Sequence, residues 1–325
     1  MRTIVMAVLA ASVSLGTTGC LKKMMLDGQI EATREAAPSV DTLGDYELAR
    51  SAVAAGLAQF EGMHRLAPDN ADALYLLTKG WAGYGYAFAE DDLEVAQDSR
   101  HEPTIVYHRM RTKLAYDRAI AYGTELIGKK AKGFDDAKKS HDSLGKWLAA
   151  NFRDASDSEI LFWTGYAWMA RVNVMIGDAE IGAPYVAGLF VGVDLVERSV
   201  VLDATAVHHS GQVALAAYHI RTALSEPEES KKLFELALAK TARKSLTVQF
   251  TYATKYACTK HDQDLYGKLL HEVLDADDPD PQQRLANAVA KRRASRWLGK
   301  ARVSDNCGFE PPAPPQRPST ADSDS

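Results

Sequence analysis

The chain has 325 residues, 38 basic against 43 acidic for a formal net charge of −5, and 46% of it is hydrophobic. No broad basic field is present, which removes nucleic acid as a partner. The apolar share supplies a sizeable core for one extended domain or two ordinary ones, and an aliphatic, alanine-rich makeup suits helices.

The N-terminus opens with Arg2, runs through apolar residues from Ile4 to Leu15, and ends at Leu15-Gly16-Thr17-Thr18-Gly19-Cys20. This is the form of a bacterial secretory signal. A signal that stops at Gly-Cys resembles a lipoprotein signal, so residues 1–19 are expected to be removed and Cys20 to be acylated; a plain cleaved signal and an uncleaved anchor are the other readings. The apolar run is too short to span a bilayer comfortably. Acyl chains on Cys20, at roughly 0.8 kcal/mol per buried CH₂, would hold the chain on a membrane surface. Leu21 stands where an aspartate often signals inner-membrane retention, which favours the periplasmic face of the outer membrane.

Residues 20–40 read as a partly helical tether spacer. From residue 41 to 300 apolar residues recur at helical spacing, as in Leu48, Ala52, Ala55 and Phe60, and strand-like alternation is almost absent. Capping boxes pair Ser156 with Glu159 and Ser225 with Glu228, with Pro227 in the first turn. Breaks are predicted at Ala67–Asn70, Gly123–Gly133, Gly177–Pro184, Ser225–Pro227 and Asp277–Pro281, leaving roughly ten to twelve helices.

A weak repeat of about 34 residues runs through these helices. Phe60 precedes Pro68 by eight, Leu74, Leu77 and Trp81 follow, and fragments recur at Tyr116 with Ala119, at Leu161, Gly165 and Trp168, and at Ser230, Phe234 and Ala237. Small residues such as Gly165 let two helices approach while an aromatic fills the groove beside them. The fold class expected is all-α: irregular (cryptic) tetratricopeptide-type (TPR) helical hairpin repeats in a superhelical bundle. An irregular bundle with chance matches is the alternative. Residues 301–325, rich in Pro and Ser, are expected to form a disordered tail.

The segments Tyr252-Ala253-Thr254-Lys255-Tyr256-Ala257, His261-Asp262-Gln263-Asp264, Leu269-Leu270-His271-Glu272-Val273-Leu274 and Arg284-Leu285-Ala286-Asn287-Ala288-Val289-Ala290 together resemble one family, as does Leu161–Trp168. It is the T component of TPR-associated tripartite ATP-independent periplasmic (TRAP) transporters, TatT. The resemblance covers roughly Leu43 to Leu298. It implies a periplasmic lipoprotein of cryptic TPR helices, a homotrimer with a ligand-conducting hole through each protomer, and a periplasmic substrate-binding protein as partner. Hydrophobic solutes are the cargo it implies. The apolar stretch Ile181–Val193 and the Pro-rich tail depart from the family's pattern.

Aromatic density is the strongest site signal in the residues themselves: Trp81, Tyr84, Tyr86 and Phe88 in one helix, Phe162, Trp163, Tyr166 and Trp168 in another. Aromatic walls suit apolar or stacked ligands. Trp81 and Trp168 hold TPR packing positions and are expected in the core, which leaves Tyr84, Trp163 and Tyr166 as the ligand-cavity candidates. The Ile181–Val193 run is expected to form a buried helix from Pro184, with a trimer contact as the alternative. Cys258 and Cys307 are a candidate disulfide, against two free thiols too far apart. His101, His108, His208 and His209 lack metal-ligand spacing, so no metal is expected; Glu90-Asp91-Asp92 and Asp275–Asp280 read as turns in solvent. No nucleophile elbow, P-loop or dinucleotide turn occurs, so neither enzyme activity nor a cofactor is expected. The expected function is a lipid-anchored TRAP component that docks a substrate-binding protein and helps deliver a small ligand. A generic TPR adaptor lipoprotein that scaffolds envelope complexes is the alternative.

Overall fold

The computed structural model describes residues 21–176, 182–221 and 225–310, and among them there is no strand. The expected signal, Cys20 and residues 311–325 lie outside the described residues. The chain opens with α1 (residues 21–36), a 3-10 turn at Ala37–Thr42, α2 (Tyr46–Leu66) and α3 (Ala71–Tyr84). A π-helical turn, Gly85–Ala89, carries α3 into α4 (Glu90–Ser99), and α5 (Glu102–Lys130) follows. Short α6 (Phe134–Ala137) and α7 (His141–Asn151) lead to α8 (Ser158–Ile176), α9 (Ala183–Ala187) and α10 (Leu189–Leu202). Then come α11 (Ala206–Arg221), α12 (Pro227–Lys240) and α13 (Leu246–Thr251), which passes into a second π-helical turn, Tyr252–Ala257. The last elements are α14 (Gln263–Asp275), α15 (Arg284–Trp297) and a third π-helical turn, Ala301–Asn306.

The fold is all-α, and its successive helices pack on one another: α2 on α3, α3 on α5, α5 on α8, α8 on α10, α11 on α12. That order is consistent with TPR-type hairpins. Side-chain oxygens start several of them, with Asp45 accepting from the Leu48 amide at 3.0 Å and Asn70 from the Ala73 amide at 3.0 Å. Helix α8 sits at the centre, touching α3, α5, α10 and α11. It approaches α10 through two glycines: a Cβ on Gly165 would fall 2.7 Å from the Gly192 carbonyl oxygen. The small residue read from the repeat therefore permits backbone contact.

Several expectations are corrected. Gly123 does not break a helix; it lies inside α5, because a side chain there would collide with Thr164 on α8. Tertiary packing overrides the local preference of glycine. Ser225 is not a cap: Glu226 takes the N-cap position of α12 and its carboxylate bonds His219 Nδ1 at 2.7 Å, although Pro227 occupies the first turn as expected. The turn at Pro184 is the exposed α9, and the buried helix starts at Leu189, where Val191, Val193, Leu195 and Val196 face the core. Residues 21–36, expected as part of a partly helical spacer, are helical, but the helix is docked, with Ile30 fully buried against Met63, Ala73 and Leu76.

The body also extends past residue 300. Arg302, Val303, Cys307 and Phe309 are buried, and Phe309 meets Tyr266 edge-on at 5.1 Å. The sulfurs of Cys258 and Cys307 are bonded at 2.04 Å, so this segment is stapled to the end of the second π-helical turn. Glu90-Asp91-Asp92, expected as a solvent turn, starts α4, and the Asp91 side chain is buried, paired with Arg292 at 2.8 Å and Arg296 at 2.6 Å. Those arginines stand about 200 positions later, beyond the reach of local reasoning.

Candidate functional site

A cavity of about 1390 Å³ lies between α2, α3, α8, α11, α13 and α15. Ordinary small-molecule pockets hold roughly 300–1,000 Å³, so this one has room for more than a compact head group. Helix α8 supplies an aromatic and aliphatic wall, with Phe162, Trp163, Tyr166, Met169, Ala170 and Val174 lining it beside Glu159 and Asn173. Phe162 stacks on Tyr166 at 5.8 Å, and Tyr166 meets Tyr86 edge-on at 6.1 Å. Across from them, Val53, Leu57, Phe60 and Tyr84 come from α2 and α3. Small residues hold the space open, among them Gly80, Gly83, Ala214, Ala217 and Ala286.

Tyr84, Trp163 and Tyr166, the three candidates read from the sequence, are thus all on the cavity wall. Tyr84 accepts a hydrogen bond from Arg111 at 3.2 Å. The indole N–H of Trp163 is buried with no acceptor. Burial pushes the Tyr166 hydroxyl far above the ordinary tyrosine range, with Glu90 adding to the shift, so it stays protonated at any ordinary pH. Trp81 and Trp168 do not line the cavity. Trp81 donates to Glu61 at 2.9 Å under Arg118, and Trp168 packs beneath Arg171 at 5.2 Å.

Each of the three π-helical turns contributes to the wall: Tyr86, Ala87 and Phe88 from the first, Thr254 and Lys255 from the second, Arg302 and Asn306 from the third. A π-helical turn inserts a residue into a helix and re-aims the side chains beyond it. In the first one, Gly85 is needed for space, since a Cβ there would sit 2.6 Å from the Tyr116 ring. Sequence reasoning missed all three turns. It also missed the left-handed stretch Val207, His208 and His209 at the start of α11, with φ of 48°, 53° and 64°. Val207 and His208 line the cavity, and a β-branched residue in that region carries strain of about 1–3 kcal/mol.

The floor of the site is ionic. Arg293 donates to Glu94 at 2.6 Å and to Glu90 at 3.2 Å, and its guanidinium lies 5.3 Å from the Tyr86 ring and 5.0 Å from Phe250. Arg296 bonds the second oxygen of Glu94 at 2.7 Å, and Arg302 bonds Asp98 at 2.7 Å. Burial alone would raise the Glu94 pKa, but Arg293, Arg296 and Arg302 outweigh it and hold the carboxyl at about 2. Tyr116 donates to Glu90 at 2.6 Å. This network fastens α4 to α15 and leaves its inner members on the cavity surface.

No catalytic constellation is assembled among the described residues. His101 bonds Thr104 at 2.7 Å, His108 lies against Tyr107, and no three His, Cys, Asp or Glu side chains converge to hold a metal ion. No described helix is long and apolar enough to cross a membrane.

An all-α scaffold around a large cavity with an aromatic wall and a buried charged floor defines a protein with room to enclose a molecule. The family model of the TRAP transporter T-component (TAtT) matches residues 43–303, and the chain belongs to that family. It is therefore a T-component of a TRAP transporter, a transport system of the bacterial envelope. No curated protein matches the chain significantly.

Proposed function

We propose that the protein is a periplasmic, non-enzymatic T-component, held at the membrane by acylated Cys20, that docks a substrate-binding protein and passes a small, largely apolar molecule through its internal cavity. The observation that carries this reading is the cavity of about 1390 Å³ with its α8 aromatic wall. Aromatic faces bind apolar and stacked ligands without demanding one geometry, which suits a molecule in transit better than one held for reaction. Family membership supports the transport role and the envelope setting. A homotrimer is part of the proposal, each protomer carrying its own cavity.

Native mass spectrometry of residues 21–325, purified gently from periplasm, tests it. A trimer with an added small-molecule mass is the expected species. A bare monomer, with neither ligand nor binding protein, refutes the reading in favour of an adaptor. Trp163→Ala is expected to weaken ligand retention at least about tenfold with folding intact; lost folding with unchanged retention would remove Trp163 from the binding wall.

A further inference from the structure

Lys255 lies in the second π-helical turn and lines the cavity. Its side chain is exposed and forms part of the cavity wall. Among the described residues no hydrogen-bond acceptor or carboxylate lies within bonding distance of its ammonium group. The charged groups that face it are Glu90 and Glu94 of α4, Arg293 of α15 and Arg221 at the end of α11. Arg293 is committed to the two glutamates. Lys255 has no such partner, and it lines the cavity.

Desolvation lowers the Lys255 pKa, so the charged form is held at a cost until an anion arrives. Thr247, Thr251 and Thr254 line the cavity on the same side of this helix. The hydroxyls of Thr251 and Thr254 donate back to carbonyls at 2.7 and 2.9 Å. The Thr247 hydroxyl lies beside that of Tyr86, and neither makes a well-formed hydrogen bond. A polar strip ending in Lys255 therefore lines the same cavity as the aromatic side chains of α8.

We propose that Lys255 anchors the anionic group of the cargo, and that the cargo is a monocarboxylate with an apolar body, its carboxylate on Lys255 and its body along Phe162, Trp163 and Tyr166. This rests on the cavity being the ligand site. One ammonium without a partner matches one negative charge; the second charge of a dianion such as a phosphate monoester would find Arg293 already committed to Glu90 and Glu94.

The test uses the chain from Leu21 to Ser325, which holds every described residue, stripped of bound lipid and titrated by fluorescence with 11-(dansylamino)undecanoate and with its methyl ester. The wild type is expected to bind the acid more tightly than the ester. Lys255→Met is expected to weaken acid binding roughly tenfold to a hundredfold, the scale of a lost charged hydrogen bond, and to leave the ester unchanged. Lys255→Arg restores most of the acid affinity. Removing a cation that has no partner does not threaten folding, and Lys255→Gln provides a polar control. Equal affinity of the wild type for acid and ester, or unchanged acid binding by Lys255→Met, overturns the anchor and leaves the cavity as a site. Failure of the wild type to bind either probe overturns both.

Discussion

Replacing Glu94 by Gln removes the charge at the centre of the α4–α15 junction while keeping its shape. In the native protein the carboxylate accepts from Arg293 at 2.6 Å, from Arg296 at 2.7 Å and from the Trp297 indole at 3.2 Å. Its pKa falls from the ordinary 4.5 to about 2, with the guanidinium groups overcoming desolvation. The difference is worth about 3 kcal/mol, undiluted by solvent because the side chain is buried. A depressed carboxylate pKa contributes stability that is complete above the unfolded value of 4.5 and disappears as pH falls through the folded value of about 2. Urea unfolding of wild type and Glu94→Gln, followed by circular dichroism with the disulfide intact, reads both quantities. The variant is expected to be about 3 kcal/mol less stable at pH 7, with less than half of that gap remaining by about pH 3. A gap that stays constant over this range would refute the reasoning, since it would assign the loss to packing rather than to charge. A gap under about 1 kcal/mol at pH 7 would mean that desolvation cancels the pairing.

Two further substitutions probe the space and the staple. Gly83 lines the cavity from inside α3, and a Cβ built on it meets no atom within 4 Å. Gly83→Ala should therefore raise stability by about 0.5–1 kcal/mol through helix propensity, whereas Gly83→Phe should fill the cavity and cut probe binding while the protein stays folded; unchanged binding by the Phe variant would put the ligand elsewhere. Cys307→Ser opens a loop of 49 residues, and the loss is expected near 4 kcal/mol in urea unfolding, with exchange protection falling first around Phe309 and Tyr266. A loss below about 1 kcal/mol would mean that the packing of Val303 and Phe309 holds the segment without the bond.

Helices α3 and α8 were legible because their apolar residues follow the period of a helix, and that period carries across them whatever they pack against. The same period placed Tyr84, Trp163 and Tyr166 to one side of the TPR packing positions, and all three line the cavity. Helix α5 was misread at Gly123 because a glycine that breaks a helix and one that admits a neighbour's Thr164 look the same in one dimension. Asp91 was misread for a related reason: acidic residues beside one another read as solvated until arginines 200 positions away are folded against them. The π-helical turns leave no local mark, since the extra residue is fixed by what it must clear, as Gly85 clears Tyr116. Lys255 did leave one. A single cation inside Phe250-Thr251-Tyr252-Ala253-Thr254-Lys255-Tyr256-Ala257 interrupts an otherwise apolar and hydroxyl-bearing helix.

The size of the cavity decides what must occupy it. A space of about 1390 Å³ is far too large for a protein interior, packed as densely as an organic crystal, to leave empty. The space must hold water or a ligand whenever the chain is folded. Water needs polar partners, and Lys255, Thr247, Thr251, Glu90 and Arg293 provide them together on the α13 and α15 side. Along Phe162, Trp163, Met169 and Val174 it finds few, and water held there is the most readily displaced by an apolar molecule. A cavity made only of such residues would collapse or bind any oily solute; one made only of charges would bind none. The chain combines the two on facing helices, with alanines and glycines keeping them apart. An amphiphile that replaces poorly bonded water along α8 and meets the unpaired ammonium of Lys255 gains on both walls at once, and it can leave again because neither wall closes a covalent or multidentate grip.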